Sequence, residues 1–334
     1  MSKAAEQLSK SKSLLKGQNI FYAGVIWSVV ALLFFLLYSV NAPGEESPWW
    51  YSIGTYILEL GAFLSATLLC YRNWLSPQIA SGRSVWLGIG LGMFCFLVGG
   101  LVFGVWELYF NLDPDVSPAD LFYIAFYVFL GWGMILAVLP RRLHLELKQW
   151  GAILAIAVVA IALAFWVTFG ASEVEEEEVV APEPIEQIAP ATDEAASESP
   201  EAAIAPEVAE EDGNPQNPRW VVATDEFLNQ FSVPVNLFYV IADVGLLIIA
   251  TALLLAFWGG RFSQSWRMIA AATFCLYIAD MWSKYAYAFN PNYESGDLLE
   301  VFFVFSGILF GIGASLEYDV STSRHARSRR RRSS

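Results

Sequence analysis

The sequence predicts an all-α integral membrane protein: eight transmembrane helices arranged as a 4+4 parallel internal repeat. Three observations carry this. Of 334 residues, 56% are hydrophobic and only 16% charged, against about 25% charged in soluble globular proteins. The apolar residues fall into eight continuous runs, each near the ~20 residues a helix needs to cross the hydrocarbon core. Basic residues alternate from loop to loop in step with those runs, as expected when cytoplasmic loops carry the excess of Lys and Arg.

Taken in order, the first run, Asn19–Val40, follows a basic tail, residues 1–18, with Lys3, Lys10, Lys12 and Lys16. It is longer than the roughly 7–15 apolar residues of a cleavable signal peptide, so it reads as a retained helix. Leu8, Leu14 and Leu15 among the lysines suit a tail lying on the membrane surface. The second run is Tyr51–Tyr71, and Arg72 and Arg83 follow it. The third, Val85–Phe110, holds the small-residue pairs Gly88/Gly92 and Gly100/Gly104, which let helix backbones approach closely. The fourth, Leu121–Pro140, is followed by Arg141, Arg142 and Lys148. The fifth, Trp150–Gly170, leads into residues 171–219, rich in Ala, Glu and Pro and predicted to be a disordered extracytoplasmic loop. Seventeen of the 33 acids lie between Glu173 and Glu226, so the net charge of −14 is largely a property of this region. The sixth run is Pro234–Trp258 and the seventh Trp266–Phe289, with Arg261 and Arg267 at their junction. The eighth, Leu298–Glu317, carries Gly307/Gly311 and precedes an Arg-rich tail, residues 318–334.

Of the 19 Lys and Arg residues, all but Arg219 and Lys284 fall on one side of this scheme. Both termini are therefore expected in the cytoplasm, and the protein in the inner membrane of a bacterium. The runs are continuous and far longer than barrel strands, which excludes a β-barrel reading.

The two halves, 19–149 and 150–317, match weakly. Phe94, Cys95 and Asp120 align with Phe274, Cys275 and Asp297. Glu59-Leu60-Gly61 aligns with Asp243-Val244-Gly245, and Thr67 with Thr251. Matched runs are four apart, an even number, so the halves share one orientation.

Ionisable residues inside membrane helices are costly and mark candidate sites. Glu59, Glu107, Asp243, Asp280, Lys284 and Glu300 all fall in the outer halves of their runs. At 1.5 Å per residue, Glu59 and Asp243 lie roughly 12 Å below the outer ends. With Trp106, Tyr277 and Trp282 they predict an aromatic, acidic vestibule opening outward. Two other readings stand beside it: an interfacial aromatic belt, and a structural ion pair between Asp280 and Lys284 at i, i+4. Ser117 and Asp120, and likewise Ser295 and Asp297, have the spacing of helix caps opening the fourth and eighth runs.

Three cysteines and two histidines are too few and too scattered for a metal site, and no cofactor is expected. Gly88-x-Gly-x-Gly92 lies inside an apolar helix with no preceding strand, and no HExxH, P-loop or nucleophile elbow is present, so an enzyme is not expected. The expected partners are the lipid bilayer, anionic lipid at the six arginines of Arg324–Arg332, and a membrane or cytoplasmic signalling protein, with no nucleic acid.

Pro118-Ala-Asp-Leu-Phe-Tyr123 with Tyr127, Tyr239–Asp243, and Tyr293–Glu300 resemble short segments of the multi-helix membrane regions that precede GGDEF diguanylate cyclase domains. The resemblance implies a sensory input module. The sequence departs from that pattern in having no GGDEF motif, and in Val128 where Pro is frequent. The expected function is therefore a sensory or ligand-binding membrane module signalling through partners. The alternatives are a small-solute or proton-coupled transporter and an assembly or scaffold subunit.

Overall fold

A computed structural model describes residues 17–40, 47–112, 114–139, 146–179, 217–257, 263–289, 293 and 295–333, without the side chains of 168–179 and 324–333. The basic N-terminal tail, most of the acidic loop and the terminal arginine side chains lie outside the described residues. The described residues are mainly helical and contain no strand. The elements are α1 (Gly17–Tyr38), α2 (Trp49–Leu75), α3 (Arg83–Phe110), α4 (Asp120–Val138), α5 (Leu147–Val179), α6 (Arg219–Asn229), α7 (Ser232–Ala256), α8 (Ser263–Phe289), a 3-10 turn (Leu298–Glu300) and α9 (Val301–Ser333).

Seven of these, α1–α5, α7 and α9, are long and apolar enough to cross a membrane. Large apolar side chains on α1 and α5, such as Leu37 and Leu154, face outward. Such a continuous apolar surface suits lipid and not water. The chain is thus a polytopic helical membrane protein. Eight spans were expected. Of the two other helices, α6 has only 11 residues, whereas α8 has 27, about 40 Å at 1.5 Å per residue. It has the length to span but is too polar to count by composition, since it carries Arg267, Asp280 and Lys284.

Local chemistry sets the boundaries. Pro48 and Pro218 stand immediately before α2 and α6, where a missing N–H costs nothing. Asn111 ends α3 in the left-handed conformation (φ 51°, ψ 47°), and the Leu112 N–H closes back on the Trp106 carbonyl at 3.2 Å. Two helices outrun their apolar segments. The α5 backbone continues beyond Gly170 to Val179, through Ala, Glu and Val with no Gly or Pro to stop it. The α9 backbone continues from Glu317 to Ser333 for the same reason. The short helix α6 was not foreseen.

Six helices close a ring, each packing on two neighbours: α2 on α3, α3 on α4, α4 on α7, α7 on α8, α8 on α9, and α9 back on α2. Helix α1 lies outside against α9 and α2, and α5 outside against α7 and α8. The seams where the two halves of the chain meet differ in character. At α9/α2, Gly307 sits against Ala62 and Phe63, and Gly311 against Ala66. At α4/α7 the contact is made by hydrogen-bonded tyrosines and aspartates, described below. Backbone approaches backbone closely between α3 and α4, where a Cβ on Gly88 would lie 2.7 Å from the Gly133 Cα. The ring interior at one end is filled by Trp86, Trp266, Met93, Leu130, Met134 and Phe310.

Candidate functional site: a polar cavity inside the ring

The opposite end of the ring is not filled. A cavity of about 480 Å³ opens there, beside the 114–119 and 293–300 segments, and all six ring helices or the turns that open them contribute to its wall. Its floor is the aromatic cluster Phe96, Phe126 and Phe303, with ring centroids 5.1 and 6.0 Å from Phe96.

Of the residues expected at a site, Glu59, Asp280, Lys284 and Glu300 line this one cavity, together with Asp120 and Ser295 from the expected caps. Glu107 and Asp243 stand one hydrogen bond behind it. Glu107 accepts from the Tyr56 hydroxyl, and Tyr56 lines the wall. Asp243, 2% exposed, accepts from the Tyr127 hydroxyl at 2.5 Å. The same hydroxyl lies 3.0 Å from an Asp280 oxygen, so Tyr127 of α4 bridges acids on α7 and α8. In return, Tyr239 of α7 donates to Asp120 of α4 at 2.5 Å. The α4/α7 seam is therefore latched by two Tyr–Asp bonds running in opposite directions.

The cap residues divide. Asp120 accepts from the Ser117 N–H at 2.7 Å, the reach-back half of a capping box, while the Ser117 hydroxyl accepts from the Ala119 N–H at 3.2 Å, one residue short of the position the full box uses. Its second oxygen serves Tyr239, so Asp120 both caps α4 and walls the cavity. At the other opening the reach-back is made by Glu300, which accepts from the Gly296 N–H at 2.8 Å and from the Tyr293 hydroxyl. Asp297 precedes the 3-10 turn without a side-chain cap bond. The intervening Gly296 has φ 111°, reserved for glycine, and its carbonyl accepts from Tyr51 of α2.

Three expected residues stand apart. Trp106, 5% exposed, packs on Phe110 and Trp220 and donates to Asp225 at 3.5 Å; it is the docking platform for α6. Tyr277 donates to the Ala160 carbonyl at 2.8 Å and ties α8 to α5. Trp282 packs on Tyr285 and does not line the cavity.

Sequence reasoning missed the phenols Tyr56, Tyr127 and Tyr239 as partners of the acids. Tyrosines one turn from acids, as in Tyr56/Glu59 and Tyr239/Asp243, were the available signal. Their bonds nevertheless go to acids on other helices, which spacing within one helix cannot reveal. Also missed was Glu317, 0% exposed at the far end of α9, which accepts from the Ser81 N–H at 3.2 Å. Nearby, Asn73 donates to the Ala314 carbonyl at 2.8 Å.

Among the described residues, no three His, Cys, Asp or Glu side chains converge as a metal site. The cavity wall contains no histidine or cysteine. Compared with protein-family models, curated proteins and solved structures, the chain matches none.

Proposed function

We propose that this is a sensory membrane module in which the ring cavity receives a small ligand from the extracytoplasmic side and cytoplasmic or membrane partners read its state. In this reading α8 is the eighth span, its polar residues facing the cavity instead of lipid, as intramembrane ionisable groups normally do. The distribution of basic residues then puts both termini in the cytoplasm and the cavity mouth outside, in the inner membrane of a bacterium.

A 4+4 repeat is supported by the pattern of neighbours. Exchanging α1–α4 with α5 and α7–α9 carries the six-membered ring onto itself and leaves one helix of each half outside it. Trp86 and Trp266 share the 180-residue offset of Phe94/Phe274, both are 0% exposed, and their rings meet at 6.4 Å. Phe126 and Phe303, offset like Asp120/Asp297, both pack on Phe96.

The observation that carries the sensory reading is Tyr127, one hydroxyl on the cavity wall that joins α4 to both α7 and α8. A ligand displacing that hydroxyl redistributes contacts at the polar seam, while the close-packed α9/α2 seam holds its backbone contacts. The resemblance to membrane regions preceding GGDEF domains agrees with such a role. Binding rather than catalysis is proposed, because the wall offers carboxyls and phenols without a paired nucleophile and base.

Transport is the second reading, favoured by the parallel repeat, and it requires the cavity to open to each side in turn. Thr55→Cys on the wall separates the two. An impermeant thiol reagent should label it in intact cells and not in inverted vesicles. Labelling from both sides would establish the transporter, and labelling only from inside would contradict an outward mouth.

A further inference from the structure

We infer that the cavity takes a protonated organic amine, with Glu59 as its counter-ion and the aromatic rings around Glu59 as its wall. This rests on the ligand-binding reading above and adds the chemical class.

Most of the acids in the cavity are already engaged. Four carboxyls lie within the cavity, and Asp115 is exposed at its mouth. Asp120 holds the Ser117 N–H and the Tyr239 hydroxyl. Glu300 holds the Gly296 N–H and the Tyr293 hydroxyl. Asp280 meets the Tyr127 hydroxyl. Glu59 alone of the four makes no hydrogen bond or ion pair among the described residues, although it is half-buried and faces the cavity. A carboxyl drawn partly out of water without a protein partner is costly, and the cavity in front of it is where a partner would sit.

Charge selects the partner's sign. The wall and the layer behind it hold Glu59, Glu107, Asp120, Asp243, Asp280 and Glu300 against one base, Lys284. The field of Lys284 is met by Asp243 and Asp280. It does not answer Glu59, whose strongest charged neighbours are Asp280 and Glu107. A carboxylate ligand would enter a field of its own sign, and a neutral one would leave Glu59 as it is.

The rings define the kind of cation. Tyr56 and Tyr123 stand close enough to Glu59 to feel its charge. Aromatic faces attract ammonium groups within about 6 Å. The cavity already holds one ammonium in this way, since the Lys284 Nζ lies 5.0 Å from the centre of the Tyr239 ring. A metal ion needs several convergent ligands, which the described residues do not provide. The volume of about 480 Å³ falls within the range of roughly 300–1,000 Å³ usual for small-molecule pockets.

The test uses the full chain with Cys70, Cys95 and Cys275 replaced by alanine and Ser283→Cys on the wall, with Asn236→Cys as a second position should the first not fold. Intact cells are treated with trimethylammonium-ethyl methanethiosulfonate or with its sulfonato-ethyl counterpart, and the rate ratio is compared with that of a free thiol in solution. The cationic reagent should be favoured by about tenfold or more, as in a cleft lined by one sign of charge. Glu59→Gln should remove most of that preference. Phenethylammonium should protect the thiol, and phenylacetate should not. A free-thiol ratio, protection by phenylacetate, or no protection by phenethylammonium would overturn the amine class while leaving an open cavity. Failure of both reagents to reach either position would overturn the outward cavity itself.

Discussion

Tyr127 is the residue on which the cavity and the helix arrangement most directly depend. Its hydroxyl serves Asp243 at 2.5 Å and Asp280 at 3.0 Å, and the second Asp243 oxygen has no hydrogen-bond partner among the described residues. Hydrogen bonds between membrane helices average about 0.6 kcal/mol and reach about 1.7 kcal/mol. Tyr127→Phe loses that bond at a 2%-exposed carboxyl and leaves Asp243 only the neighbouring Asp280 and the field of Lys284. We therefore expect a loss near the upper end, about 1–2 kcal/mol, in reversible unfolding in detergent. Tyr239→Phe should cost less, because Asp120 keeps the Ser117 N–H. Equal losses would show that the two latch bonds are not distinguished by burial. At this scale the sequence was partly legible. A charge inside an apolar run is visible in one dimension, and Glu59, Asp280, Lys284 and Glu300 do meet in one cavity. The phenols that bind the acids were invisible as partners, since tyrosine suits an interfacial belt equally well. Trp106 illustrates the converse: its position signalled a vestibule, but its ring is taken by α6.

Among the elements, small residues decide how closely helices pack. The pairs Gly88/Gly92 and Gly307/Gly311 meet backbone of other helices in the same chain, whereas Gly100 and Gly104 face the side chains of Leu60 and Tyr56. Gly133 was not singled out, because its partner Gly88 lies 45 positions away and no spacing motif joins them. A methyl on Gly88 or Gly133 would press on backbone, which cannot swing aside. Gly88→Ala or Gly133→Ala should cost about 1–3 kcal/mol, as overpacking does. Gly151→Ala and Gly245→Ala meet nothing within 4 Å, and should stay within about 0.5 kcal/mol of the parent or gain slightly. Thermal melting of the four variants checks the contrast, and equal stability across all four would contradict the α3/α4 approach. The helices themselves were legible because apolar runs of this length have few other folds. Helix α6 was not, since its apolar residues Trp220 and Val221 need the Trp106–Phe110 surface before their amphipathic spacing means anything.

At the scale of the whole molecule, the account depends on α8 crossing the membrane. Seven helices qualify on length and composition, and α8 qualifies on length alone. If α8 spans, Asp280 and Lys284 enter the bilayer within a ring that gives them Tyr127 and Tyr239 as neighbours, and the two termini share one side. If it does not, the ring cannot be a transmembrane unit and the C-terminal side reverses. Sequence could raise this question and not answer it, because polarity that disqualifies a lone span is tolerated in a helix whose polar face lines a cavity. The decisive measurement is labelling of Ser328→Cys in intact cells by an impermeant thiol reagent, with Asp115→Cys as the outward reference and Ser81→Cys as the inward one. The account predicts that Asp115→Cys reacts, and that Ser328→Cys and Ser81→Cys react only after permeabilisation. Reaction of Ser328→Cys in intact cells, with Ser81→Cys still protected, would leave seven spans and contradict the eight-helix cavity.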